Sequence, residues 1–150
     1  MMRYFLILAL SLILASPVEN TQLSRNPWLT DYHTAVSESK MTGRHILIYF
    51  TGSDWCAPCR KLKQDLFETE AFKALSQDYV LLYIDIPVNK DLISSAQLAH
   101  NKALLPKFNS KGVFPLLKVL TSGEKELGEV AGYDMNGKID PYLSLLRQNR

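Results

Sequence analysis

Short apolar runs alternate along the chain with segments whose apolar residues recur at helical intervals, and this order predicts an α/β fold. The runs 45–51 and 79–86 are rich in β-branched and aromatic residues, which is typical of buried strands. A third strand is predicted over 111–120 and a fourth over 125–131. The polar segment 121–124 between them predicts a hairpin turn.

Each helix is predicted to begin at residues that can cap it and to end at a residue that breaks it. The predicted starts are Asn26-Pro27, the Cys56 region with a continuation or second helical piece at 69–77, Ser94 or Ser95, and Asp140-Pro141. Gly43 is predicted to end the first helix, and Pro106 is predicted to break the third after Leu105. The predicted element order is therefore α-β-α-β-α-β-β-α.

The first sixteen residues have the pattern of a secretory signal peptide. Arg3 supplies the positive start, residues 4–15 are almost entirely apolar, and Ala15 or Ser16 is small enough for cleavage. The alternative is a membrane anchor, but a spanning helix needs roughly 20 apolar residues. We expect a signal peptide, a polar leader and one folded domain, over 1–16, 17–26 and 27–150. The mature protein is then periplasmic or secreted, without a permanent membrane anchor.

Composition and charge indicate a globular domain and give no sign of nucleic-acid or membrane-surface binding. A chain of 150 residues with 47% hydrophobic and 21% charged residues is ordinary for one globular domain. The formal net charge of +2 is too small to indicate a nucleic-acid partner or binding to a membrane surface. Both cysteines lie in one Cys-x-x-Cys motif, which leaves no separate structural disulfide.

The motif Cys56-Ala57-Pro58-Cys59 lies where the strand 45–51 passes into a helix. Two cysteines three apart at a helix start lie on one face and are close enough to bridge. Cys56 lies at the helix N-terminus, where unpaired N–H groups favour the thiolate. Cys59 lies one turn further in. The pattern predicts an accessible nucleophilic Cys56, a shielded resolving Cys59, and disulfide chemistry.

A zinc site is the main alternative for the two cysteines. Structural zinc usually takes four Cys or His ligands. The other soft ligands are His33, His45 and His100, and they show no metal-binding spacing. We therefore expect no metal and no cofactor other than a redox-active Cys56–Cys59 disulfide.

From Trp28 to Arg150 the chain resembles secreted thioredoxin-fold proteins of the thioredoxin-like thiol–disulfide oxidoreductase family. The resemblance rests on segment 50–60 around the cysteines, on Val113-Phe114-Pro115, and on Gly123-Glu124 followed by Gly132. It implies the thioredoxin fold, in which a central mixed four-stranded sheet is flanked by helices. The order of elements agrees with that implication.

The resemblance also implies roles for individual residues. Cys56 is the exposed nucleophile and Cys59 the buried resolving thiol. Pro115 is a cis-proline facing them, and the backbone of Phe114 pairs with the bound substrate chain as an added strand. Trp55 forms one wall of the site. An edge-strand proline is the alternative reading of Pro115.

Two further features shape the expected site. Ala57 and Pro58 resemble the Gly-Pro pair of reducing thioredoxins. Tyr49 takes the place where many thioredoxins keep a buried aspartate for proton transfer, and a phenol with a reference pKa near 10 is a poor base. Asp54 is close in sequence, but we expect it to be solvated.

Two function classes follow from these residues. In the first, the protein is an enzyme that exchanges disulfides with exported protein substrates, in the reducing or isomerising direction, with a membrane reductase as a candidate electron donor. In the second, it is a binding module, assembly factor or chaperone of the same fold whose thiols are not catalytic. Fold alone does not choose between them, but the intact cysteine pair and Pro115 favour the enzyme.

Overall fold

The computed structural model describes residues 27–150, so the predicted signal peptide (1–16) and leader (17–26) lie outside the described residues. The strands are β1 (Trp28–Leu29), β2 (His45–Thr51), β3 (Tyr79–Asp85), β4 (Leu116–Leu120) and β5 (Glu126–Ala131). The helices are α1 (Tyr32–Thr42), α2 (Ala57–Leu62), α3 (Glu70–Ser76), α4 (Ser95–Phe108) and α5 (Asp140–Gln148). A π-helical turn, Lys63–Phe67, extends α2 toward α3.

The strands form one mixed sheet in the order β1-β3-β2-β4-β5. β1, β3 and β2 are parallel, whereas β4 is antiparallel to β2 and β5 is antiparallel to β4. The predicted α/β class and mixed sheet are confirmed, but the predicted strand number of four is wrong. The fifth strand is β1, which pairs Trp28 with Leu81. Two residues are too few to show the alternation that marks a strand in a sequence.

The sheet separates two apolar cores, because successive side chains of a strand point to opposite faces. On one face, Leu47 and Tyr49 of β2 pack with Leu62 of α2 and with α5. On the other face, Ile46 and Ile48 pack against α1 and α4. Trp28 packs against the first core. The result is a three-layer arrangement in which β2 lies between two helical layers, and the two cysteines belong to the first core.

Several predicted helix boundaries are confirmed by the structure and others are wrong. Gly43 ends α1 with a positive φ of 73°, and the Ser94 side chain caps α4. The predicted start at Asn26-Pro27 is wrong, because the Asp31 carboxylate caps α1 by accepting the Thr34 N–H at 2.7 Å. No helix within 27–150 has the length and apolar character to cross a membrane.

Pro106 does not break α4, which runs on to Phe108. Leu104 and Phe108 are both buried against the sheet, so packing holds the last turn helical although proline donates no hydrogen bond. Similarly, Asp140 does not cap α5. It lies in the first turn after Ile139, which provides no side-chain cap.

The third predicted strand also begins later than expected, at Leu116 instead of 111. The side chain of Asn109 closes the preceding segment into a loop. Its amide donates to the Val113 carbonyl at 2.9 Å and its oxygen accepts the Val113 N–H at 3.0 Å. These bonds occupy the backbone groups of Val113 that strand pairing would need.

Candidate active site

The two cysteines lie at the junction of β2 and α2. Cys56 is the N-cap of α2, with extended backbone, and its sulfur accepts the Cys59 N–H at 3.2 Å. The two sulfurs form a disulfide with an S–S distance of 2.04 Å. The helix N-terminus thus places an N–H donor against the Cys56 sulfur, which is the arrangement that stabilises a thiolate after reduction.

Both cysteines are buried in this disulfide form. The exposed fraction is 3% for Cys56 and 1% for Cys59, and both belong to the core formed with Tyr49 and Leu62. The expectation of an accessible Cys56 beside a shielded Cys59 is therefore wrong for the oxidised protein. The position of Cys56 at the helix start says nothing about its burial, which depends on side chains from other parts of the chain.

Trp55 forms a wall beside Cys56. Its indole Nε1 donates to the Ile86 carbonyl at 2.7 Å, and its ring packs edge-on against Phe114 with 5.3 Å between centroids. The ring also covers Gly52 so closely that a Cβ there would lie 2.2 Å from the indole Cε2. Trp55 is 45% exposed, so one side of its ring faces solvent while the other contacts Gly52, Ile86 and Phe114.

Phe114 and Pro115 reach this wall from the start of β4. The Phe114–Pro115 peptide bond is cis. The Pro115 carbonyl accepts the Gly132 N–H at 2.8 Å, and the hydroxyl of Tyr142 donates to the Gly132 carbonyl. The structure therefore brings the predicted residues Trp55 and Phe114 into contact and ties Pro115 to the glycine before the last helix.

Tyr49 lies beneath the cysteines, with 1% of its surface exposed. Its hydroxyl donates to the Cys59 carbonyl at 3.0 Å. Burial raises the pKa of Tyr49 above its ordinary value, so the phenol stays neutral at neutral pH. Ala57 and Pro58 occupy the first turn of α2, where proline costs no hydrogen bond.

Sequence reasoning missed one carboxylate at the site, Asp85, and the backbone contacts of another, Asp54. Asp85 accepts the Ser53 N–H at 2.9 Å and the Ser53 hydroxyl at 2.6 Å. Asp54 accepts the N–H groups of Val88 at 3.0 Å and Asn89 at 2.7 Å. Asp54 is exposed, as expected, but its carboxylate also holds these two backbone N–H groups, which the sequence did not indicate.

The hydrogen bonds from Asn89 and Val88 lower the pKa of Asp54, which keeps it ionised at neutral pH. A sequence signal existed for Asp85 alone. It ends a strand parallel to β2, and the register pairs it with Thr51. Carboxyl ends of adjacent parallel strands meet at one edge of a sheet.

Within residues 27–150, no three side chains of the types His, Cys, Asp and Glu group in a way that could hold a metal ion. Both thiols of the motif are engaged with each other in the disulfide.

Comparison with known proteins assigns this chain to a family. A family model described as thioredoxin-like matches residues 27–120. The chain belongs to the thioredoxin-like family. The predicted family and fold are thereby confirmed, and the match includes the cysteine motif and the segment that leads into β4.

Two relatives of this thioredoxin-like protein come from Chlamydia pneumoniae. It is 28% identical to the disulfide bond reductase DsbH over 79% of this chain and 74% of that protein. It is 27% identical to the thioredoxin-related protein DsbJ over 85% of this chain. The match spans only 36% of DsbJ's own length.

Solved structures agree with the family assignment. A DsbH oxidoreductase is 26% identical, with a TM-score of 0.65 over 86% of this chain and 94% of that chain. The oxidised C-terminal domain of DsbD from Neisseria meningitidis has a TM-score of 0.57 at 19% identity, over 79% of this chain and 91% of that domain. The second likeness shows the shared fold.

Proposed function

We propose that this protein is a thiol–disulfide oxidoreductase that acts on disulfides of exported proteins through Cys56 and Cys59, in the reducing or isomerising direction. The observation that carries the proposal is the Cys56–Cys59 disulfide at the start of α2, where the Cys56 sulfur accepts a helix N–H at 3.2 Å. The named activity of the relative DsbH, a disulfide bond reductase, supports it.

In the reducing direction the dithiol form starts the reaction. The Cys56 thiolate attacks one sulfur of a client disulfide, a bond forms between them, and the client's other sulfur leaves as a thiolate. Cys59 then loses its proton and attacks the Cys56 sulfur, which breaks the mixed disulfide and releases the second client thiolate. Two electrons pass from the dithiol to the client, and the Cys56–Cys59 disulfide forms again.

The proton of Cys59 needs an acceptor other than the nearby phenol. Tyr49 is kept neutral by burial, and both carboxylate oxygens of Asp54 already accept backbone N–H groups. The released client thiolate has an ordinary thiol pKa of about 8.5 and is a suitable base. We propose that this thiolate, or water, takes the proton.

The residues between the cysteines support the reducing direction. Ala57 and Pro58 place no cationic or hydrogen-bonding side chain beside Cys56, so the reduced thiolate gains no extra stabilisation from them. We expect a reduction potential nearer that of thioredoxin, about −270 mV, than that of the strong oxidant DsbA, about −120 mV. Equilibration with glutathione buffers measures it. A potential above about −150 mV would overturn the reductive direction.

Each turnover leaves the site oxidised, so a donor must return two electrons. We propose a membrane reductase for this step. The chain is 26% identical over 76 residues to part of the thiol:disulfide interchange protein DsbD of Vibrio cholerae, which supports a partner from the same redox system. Export itself rests on the signal-like pattern of residues 1–16. Mass spectrometry of the native protein should find a chain beginning near Ser16, and an intact Met1 in the cytosol would refute export.

The decisive assay is reduction of insulin with dithiothreitol as the electron donor. The reaction is monitored through the turbidity that the released insulin chain produces. The wild type should accelerate it, and Cys56→Ser should not. A folded wild-type protein without any acceleration would instead favour the binding module whose thiols are not catalytic.

A further inference from the structure

Residues 53–55, directly before Cys56, are bonded one after another to the segment 85–89 that follows β3. Five hydrogen bonds join the two segments: two from Ser53 to Asp85, one from the Trp55 indole to the Ile86 carbonyl, and two to the Asp54 carboxylate from Val88 and Asn89. The residues of segment 85–89 differ in how firmly the rest of the fold holds them. Asp85 ends a central strand, whereas Val88 and Asn89 belong to the exposed loop between β3 and α4.

The Ile86 carbonyl is the acceptor that fixes Trp55, and its direction is set from two sides. On its N-terminal side, the Ile86 N–H donates to the Thr51 carbonyl at 2.9 Å, which continues the pairing of β2 with β3. On its C-terminal side, Pro87 has no N–H to donate, and the N–H of the next residue, Val88, donates to the Asp54 carboxylate at 3.0 Å. Val88 is 72% exposed, so burial of its side chain does little to hold this part of the loop.

We propose that Asp54 is a positioning residue for client exchange. By holding the Val88 and Asn89 N–H groups, its carboxylate orients the Ile86 carbonyl toward the Trp55 indole. The indole then stays against Phe114 as a fixed wall beside Cys56. This role rests on the proposed oxidoreductase function, since the wall matters only if a client chain docks there.

The variant Asp54→Asn tests this role at nearly constant size. A carboxylate accepts on two oxygens, whereas an amide accepts on one and turns an NH₂ donor toward the second N–H. The matched control is Asp91→Asn, which removes the same charge from the exposed β3–α4 loop that Asp54 contacts. Asp54→Ala, which removes both acceptors, is the second variant.

Two substrates separate docking from thiol chemistry in single-turnover reactions of the reduced protein. Insulin is the protein disulfide, and oxidised glutathione is the small one. Asp54→Asn should raise the half-saturating insulin concentration about three- to tenfold, because a wall that is no longer fixed binds less well. The maximal insulin rate and the glutathione rate should stay within about twofold of the wild type, because the Cys56–Cys59 contact at the start of α2 is untouched.

A second measurement tests directly whether the Trp55 indole stays fixed. The indole N–H of Trp55 should exchange with solvent faster in Asp54→Asn and Asp54→Ala than in the wild type or Asp91→Asn, as followed by NMR. The chain has two tryptophans, so the Trp28 signal serves as an internal reference.

Wild-type behaviour of Asp54→Asn and Asp54→Ala with insulin would refute the positioning role. Equal loss with insulin and glutathione would also refute it, because Asp54 would then act on the thiols and not on docking. A wild-type protein that reacts with neither substrate would refute the proposed function itself, and the role of Asp54 with it.

Discussion

Replacing Gly52 with alanine would test whether the fixed place of Trp55 matters for exchange. The new Cβ would lie 2.2 Å from the indole Cε2 and 2.4 Å from Nε1. The ring must retreat by about 1.2 Å to reach an ordinary contact of 3.4 Å. Because one side of the ring faces solvent, Trp55 can swing outward, and the 2.7 Å bond to the Ile86 carbonyl is then lost.

The cost to stability should be small. Losing a neutral hydrogen bond costs about 0.5–1.5 kcal/mol, and weakening the Trp55–Phe114 ring contact costs at most about the same again. Replacing glycine by alanine offsets about 0.4–1 kcal/mol of this, since it restricts the unfolded chain. A net loss of about 1 kcal/mol corresponds to a melting temperature lower by about 4 °C.

The effect on exchange should be larger than the effect on stability. We expect insulin reduction by Gly52→Ala to be about tenfold slower, equivalent to about 1.4 kcal/mol, because tryptophan walls contribute strongly to binding. Reduction of oxidised glutathione should change less than twofold. The control is Gly123→Ala in the hairpin turn, where the nearest atom to a new Cβ lies 3.7 Å away.

The assay compares initial rates of insulin and glutathione reduction at one temperature, well below either melting point. A Gly52→Ala protein that reduces insulin as fast as the wild type would show that the observed position of Trp55 is not needed. A protein that loses both activities equally would show that Gly52 supports the cysteines and not the wall.

The roles of the two cysteines can be separated by trapping: Cys56→Ser should abolish insulin reduction, and Cys59→Ser should accumulate mixed disulfides with insulin on non-reducing gels. If Cys59→Ser traps nothing while Cys56→Ser stays active, the assignment is reversed. Tyr49→Phe should leave the pH profile of exchange unchanged, since the phenol is neutral, and should cost about 1 kcal/mol of unfolding free energy through the lost bond to the Cys59 carbonyl; an altered profile would make Tyr49 a proton carrier. Burial raises the pKa of Tyr79 to about 12, above the ordinary value of 10.0, so the stability gained from its neutral form is complete below pH 10 and is lost as pH rises from 10 toward 12. In urea unfolding, the free energy of unfolding of Tyr79→Phe should fall less steeply between pH 10 and pH 12 than that of the wild type. An equally steep fall would show that Tyr79 does not contribute to this pH dependence.

The structure corrects the sequence-based predictions mainly where the answer depends on contacts that the apolar pattern does not show. The Asn109 side chain decides where β4 begins, and no apolar pattern shows that bond. Burial of Leu104 and Phe108 outweighs the breaker at Pro106. The two-residue strand β1 exists only because β3 offers it an edge to pair with.

The sequence by itself determined the family, the order of the main elements and the pairing of the cysteines. These depend on local pattern: two cysteines three apart at a helix start lie on one face, and apolar runs of seven residues rich in β-branched and aromatic side chains indicate strands. Only the tertiary structure decided what surrounds the disulfide. Residues 53–55 find their partners 31 to 35 positions further along the chain. Those positions become neighbours because β2 and β3 pair in parallel with Thr51 opposite Asp85, and the sequence pattern alone does not fix that register.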